Sequence, residues 1–108
     1  KEFKVKQSKP VVICVFDKGS MKEYISLQTL LRNAGISTEI YPSESKLKKQ
    51  MEYANKIKSP AVILYGDDEI KSGKPTLRNL NSGEEKSIEI KELVNEIKKI
   101  IWNYNYNF

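Results

Sequence analysis

Histidine is absent from these 108 residues, arginine occurs twice and cysteine once. Without histidine, Ser-His and Cys-His nucleophilic pairs and histidine-ligated metals are excluded. The single cysteine, Cys14, rules out an internal disulfide, and one thiol inside the apolar run Val11–Phe16 cannot build a zinc site. Neither a GxxxxGK[ST] loop nor a GxGxxG turn is present, which removes the common phosphate cradles. No apolar stretch approaches the roughly 20 residues that span a bilayer, and no secretory signal pattern opens the chain. The cytoplasm is therefore the expected compartment, with no membrane partner. The chain by itself is expected to be non-catalytic, without a metal or any other cofactor of its own.

What is present is a lysine-rich folded domain. Hydrophobic content of 39% and charged content of 31% fit a single globular unit with one modest core. Seventeen lysines against two arginines underlie the net charge of +5, a surplus compatible with phosphate-rich partners, although composition alone favours a lysine-rich solvated surface. Residues 1–10 are polar and read as a linker into a domain at residues 11–102. Because the first residue is Lys1 and not methionine, the chain reads as a piece of something longer. Residues 103–108, which follow Trp102, form an aromatic and asparagine-rich tail that could stack on bases but is better suited to packing on a neighbouring domain or to fraying.

Val11–Phe16 is a continuous apolar run that suits a strand buried on both faces. Ser20-Met-Lys-Glu23 matches a capping box and predicts a helix start. Met21, Tyr24, Ile25, Leu27, Leu31 and Ala34 follow with helical period, and Gly35 supplies the stop. Ile36–Tyr41 reads as a second strand. A second helix is predicted from near Ser45, with Leu47, Met51, Ala54 and Ile57 inside and Lys46, Lys48, Lys49 and Lys56 outside, ending before Pro60. Ala61–Tyr65 is a third buried strand. After it a short loop with Gly66 and Gly73 leads to a returning strand at Pro75–Leu80, a turn at Asn81–Gly83 and a strand at Glu85–Glu89. Ile90, Leu93, Val94, Ile97, Ile100 and Ile101 mark a last helix. The predicted fold is three-layer α/β/α: a five-stranded mixed sheet with one antiparallel strand and three helices.

Ligand sites in such sheets collect beyond the carboxyl ends of the strands, where Asp17 and the triplet Asp67-Asp68-Glu69 fall. A phosphoacceptor receiver would need paired acids after the first strand and a lysine after a fifth parallel strand. Here Asp17 stands alone and a hairpin replaces the fourth crossover, so that topology fails.

The run VVICVF, the segment LLRNAGI at 30–36 and the pattern G-x-x-E-x-x-x-G from Gly66 to Gly73, followed by Arg78, resemble the anticodon-binding domain of class II aminoacyl-tRNA synthetases. That domain is shared by the histidyl, threonyl, prolyl and glycyl enzymes. LKKQMEYANK at 47–56 and LRNLNSGEE at 77–85 resemble the histidyl group best. The resemblance implies that Glu69 and Arg78 meet unstacked anticodon bases, and that Asp67 and Asp68 form the turn. It also implies that the partner is the anticodon loop of a histidine tRNA. A carboxylate can accept from the N1–H and N2–H₂ of guanine, and an arginine fork fits base acceptors or phosphate. Lys46, Lys48 and Lys49 are candidate phosphate contacts. Glu44 departs from the polar amide of threonyl relatives. By the same resemblance the parent is a homodimeric ligase whose N-terminal catalytic domain uses ATP and magnesium. A stand-alone or accessory RNA-binding module, or the same domain of a threonyl, prolyl or glycyl enzyme, is the alternative.

Overall fold

The computed structural model describes the backbone of residues 9–106 and the side chains of residues 9–102. Most of the expected linker at 1–10, and the side chains of the tail at 103–108, lie outside the described residues. Among those described, the order is β1 (Val11–Cys14), a 3₁₀ turn (Lys18–Ser20), α1 (Met21–Asn33), β2 (Thr38–Ile40), α2 (Leu47–Lys56), β3 (Ala61–Leu64), α3 (Asp67–Ser72), β4 (Thr76–Asn79), β5 (Glu85–Ser87) and α4 (Ile90–Tyr106).

The strands assemble in the order β2-β1-β3-β4-β5. β1 runs parallel to β2 and to β3, while β4 is antiparallel to both of its neighbours, β3 and β5. One antiparallel strand in a mixed sheet of five is the expected architecture. β1 is inaccessible along its whole length, as a strand covered on both faces must be. Its neighbours place Glu39, Val12, Val62, Arg78 and Glu85 in one row across all five strands, on one face. α2 lies at one end of that face, where the Tyr53 hydroxyl donates to Glu39 and Tyr53 meets Tyr41 edge-on at 5.4 Å. α1 and α4 cover the opposite face, which carries Leu77 and Lys86, and contribute Leu27, Leu31, Leu93, Ile97 and Ile101 to the core. At the far edge of the sheet from β2, β5 is exposed throughout.

Three local expectations are corrected. Among the described residues four α-helices form, not three, because the stretch expected as a loop after β3 is helix α3. Six residues are too few for an apolar stripe to announce a helix, and the signal lies in its ends: Gly66 at the N-cap and Gly73 at φ +72° as the left-handed stop. The capping box at Ser20 does not form. Asp17 accepts from the Gly19 N–H at 2.9 Å and starts a 3₁₀ turn that runs straight into α1. Ser20 is thereby left at φ −99°, ψ 16°, outside the extended geometry a capping hydroxyl needs. In α2 the buried positions are Gln50 and Ala54, whereas Leu47 is 38% exposed.

Among the described residues no helix is long and apolar enough to cross a membrane. Nor do three histidine, cysteine, aspartate or glutamate side chains gather there in a way that could hold a metal ion.

Candidate nucleic-acid interface

The carboxyl edge of the sheet is assembled from three loops. After β1 the chain makes the turn begun by Asp17. After β2 it passes through Glu44, whose Oε2 accepts from the Lys18 N–H at 2.6 Å and ties the first two loops together. After β3 comes Gly66, close enough to Phe16 that an added Cβ would stand 3.6 Å from its ring.

Beneath this edge lies Gln50. In β1 the odd residues bond toward β2: the Val11 N–H donates to Ser37 and the Ile13 carbonyl accepts from the Tyr41 N–H. Val15 is next in that series, but the β2 chain turns away at Pro42 and leaves it without a strand partner. The Gln50 amide takes the missing strand's place. Its Oε1 accepts from the Val15 N–H at 2.7 Å, and its Nε2 donates to the carbonyls of Val15 at 2.7 Å and Ser45 at 2.8 Å. A primary amide presents the same donor–acceptor pair as a peptide group, so it can end a ladder inside the core. Sequence reading placed Gln50 in a motif without a role. The signal available was an amide four residues before Ala54, on the side of α2 that turns inward.

Glu69 sits at the third position of α3. Its Oε1 accepts from the Gly66 N–H at 2.9 Å, the return arm of a capping box, while Asp67 and Asp68 fill the first turn at the positive end of the helix dipole. This accounts for three acids directly after a strand in a basic protein: they stabilise a helix start. Among the described residues the other carboxylate oxygen, Oε2, accepts no hydrogen bond.

Arg78 stands on β4, paired with Val62 on one side and Glu85 on the other. It is one pleat below Thr76, which faces Leu64 at the carboxyl end of β3. Its Nε lies 3.2 Å from Glu85 Oε2, with the two side chains 34% and 39% exposed. The contact is an ion pair off the N–H axis, not an aligned hydrogen bond. No described contact joins Glu69 to Arg78. Glu85, like Gln50, had no assigned role in the sequence reading. Counting register back from the Asn81–Gly83 turn places it opposite Arg78.

Lys46, Lys48 and Lys49 are all exposed at the start of α2, Lys46 being its N-cap. Cys14 is inaccessible on the Arg78 face. Burial pushes its thiol up to about 12, with Arg78 pulling weakly the other way, so it is no nucleophile. The Tyr53 phenol is raised by its bond to Glu39, and the Tyr65 phenol by burial.

The family described as "Anticodon binding domain" matches residues 9–100. This chain belongs to that family. The anticodon-binding domain is 38% identical over 105 residues to a histidine–tRNA ligase of Pelagibacter ubique, which covers 93% of this chain and 23% of the relative. It is 45% identical over 74 residues to that of Caulobacter vibrioides, covering 68% of this chain and 15% of the relative. The crystal structure of a histidyl-tRNA synthetase from a Nostoc species superposes with a TM-score of 0.81 at 28% identity, over 84% of this domain and 22% of that chain. The domain thus spans less than a quarter of the length of each of these three relatives.

Proposed function

We propose that this domain binds the anticodon loop of a histidine tRNA, as the C-terminal part of a histidine–tRNA ligase. The reading is carried by the similarity to histidine–tRNA ligases along nearly the whole chain. The physical chemistry of the Arg78 face of the sheet agrees with it. A half-buried arginine stands on that face, a carboxylate with an unengaged oxygen projects from α3, and lysines stand at the start of α2.

Guanine is the common base with two adjacent donors, N1–H and N2–H₂, on its pairing edge. Each carboxylate oxygen accepts two hydrogen bonds, so Glu69 can hold the Gly66 N–H and still receive both donors of an unstacked guanine. Arg78 offers its outer nitrogens to a base acceptor, and the lysines supply charge for the phosphates. Histidine activation and transfer to the tRNA, with ATP and magnesium, belong on this reading to a separate N-terminal catalytic domain of a cytoplasmic, homodimeric enzyme.

The test is binding of a histidine tRNA anticodon stem-loop carrying GUG, against a loop with one guanine replaced by adenine. Glu69→Gln is the informative variant, because its amide oxygen can still accept from Gly66 while its NH₂ group opposes the guanine donors. It should narrow the preference by about 1–3 kcal/mol, by analogy with bidentate base contacts in DNA, with little loss of phosphate-driven binding. Arg78→Ala should weaken binding and reduce the preference. A folded Glu69→Gln protein with unchanged preference would return Glu69 to a purely capping role.

A further inference from the structure

Arg78 and Glu85 face each other because the turn between their strands is fixed. Asn79 Oδ1 accepts from the N–H groups of Asn81 at 2.8 Å and Ser82 at 3.2 Å, and the Asn79 carbonyl accepts from the Gly83 N–H at 2.7 Å. Gly83 takes φ +81°, a conformation that favours glycine. A slip of one residue would turn Glu85 to the other face of the sheet. The turn motif therefore delivers one carboxylate to one arginine. The Nε side of that arginine is shut in against the sheet, and among the described residues its outer Nη groups have no partner.

An unpaired guanidinium beside an RNA loop binds phosphate bidentately wherever phosphate comes within reach, and such contacts carry no sequence information. The chain already has a surplus of lysines for that purpose. An arginine whose charge is matched by a neighbouring carboxylate differs. Phosphate approaching it meets the repulsion of Glu85, whereas a neutral base acceptor meets the outward Nη donors without that penalty.

We propose that Glu85 is a specificity-determining residue of the RNA-binding face: by pairing with Arg78 it suppresses phosphate capture and reserves the arginine for the edge of a base. This rests on the reading of Arg78 as an RNA contact. Glu85 acts through Arg78 and touches no base itself.

The test uses the 108-residue chain and the two stem-loops above, with affinity measured across a salt series. Glu85→Gln keeps the shape and an acceptor oxygen but removes the charge. It should bind both loops at least about threefold more tightly at low salt, with the slope of log affinity against log salt steeper by about 0.7, one further phosphate contact. The preference for the guanine loop should shrink. Glu85→Asp, which keeps the charge, should retain the wild-type slope. Glu84→Gln removes the same charge one residue away. Its side chain lines a hollow on the opposite face with Leu77, Asn79 and Lys86, so it should change neither slope nor preference. In an Arg78→Ala background, Glu85→Gln should have no further effect. If Glu85→Gln behaves like Glu84→Gln while Arg78→Ala still loses discrimination, Glu85 serves strand pairing alone and the proposal is overturned with the RNA reading intact. If Arg78→Ala leaves affinity and preference unchanged in a folded protein, the RNA reading of Arg78 fails and this proposal fails with it.

Discussion

Gln50 shows how one polar side chain can decide where a strand ends. Its three hydrogen bonds satisfy both backbone groups of Val15, which are buried, and the part-buried carbonyl of Ser45. Gln50→Leu keeps the bulk and removes every partner. Leaving one buried backbone group unsatisfied costs about 1–3 kcal/mol, so the variant should lose ~2–5 kcal/mol in urea unfolding. Its melting temperature should fall by roughly 8 °C or more. A melt matching wild type would mean that water or a shifted strand replaces the amide. Residue roles of this kind were poorly legible in the sequence, since an amide in a helix looks the same whether it faces solvent or ends a ladder. Glu69 was legible as a special position but not as a helix cap, because its partner is a backbone N–H that only the fold brings near. Arg78 was picked out by the family resemblance, whereas its partner Glu85 lay hidden among three consecutive charges, Glu84, Glu85 and Lys86.

Among the elements, α2 carries a physical conflict. The N-terminus of a helix is its positive end, where cations are disfavoured by about 0.3–1 kcal/mol each. Lys46, Lys48 and Lys49 nevertheless stand there, exposed, with no acid in the first turn. Helix stability does not account for them; on the function proposed above an anionic partner would, since dipole and lysines then act together. Lys46→Ala and Lys49→Ala should therefore leave the melting temperature unchanged or slightly raised. Each should also make the salt dependence of stem-loop binding shallower by about 0.7 in the log–log slope. Affinity that ignores salt, or variants that bind as wild type does, would make these lysines a solvating surface only. The contrast with α3 is instructive. There the first turn holds Asp67, Asp68 and Glu69, the charges its dipole favours, and the helix is short enough to need them. Element boundaries were legible where a long apolar period or a proline marked them, as in α1 and α4. They were illegible where two glycines and a cap did the marking.

On the scale of the whole molecule, strand directions were legible, because two helical crossovers make β1, β2 and β3 parallel. The order β2-β1-β3-β4-β5 was not, since crossover length does not say on which side of β1 a strand is laid down. What ties that architecture to a measurement is Cys14, inaccessible in β1 between β2 and β3. Its thiol is held up at about 12 by burial, so the reactive thiolate is scarce in the folded chain near neutral pH. Labelling by an aromatic disulfide at mildly alkaline pH must then proceed through opening of the central sheet. For a domain stable by about 5 kcal/mol, that suppresses the rate by roughly 10³-fold or more relative to the unfolded chain. Gln50→Leu should accelerate labelling in proportion to its loss of stability. A saturating stem-loop should slow it by mass action, about 100-fold at one hundred times Kd. The pH dependence has a definite sign. A group whose pKa is raised on folding contributes stability that is complete below its unfolded value, near 9.0, and is lost as pH climbs toward about 12. Unfolding free energy should thus decline across that window. Cys14→Ala should remove one share of the decline, and Tyr53 and Tyr65, both shifted in the same direction, should keep the rest. Rapid labelling without denaturant, indifferent to Gln50→Leu and to RNA, would show that β1 opens locally and that the core is not one cooperative unit.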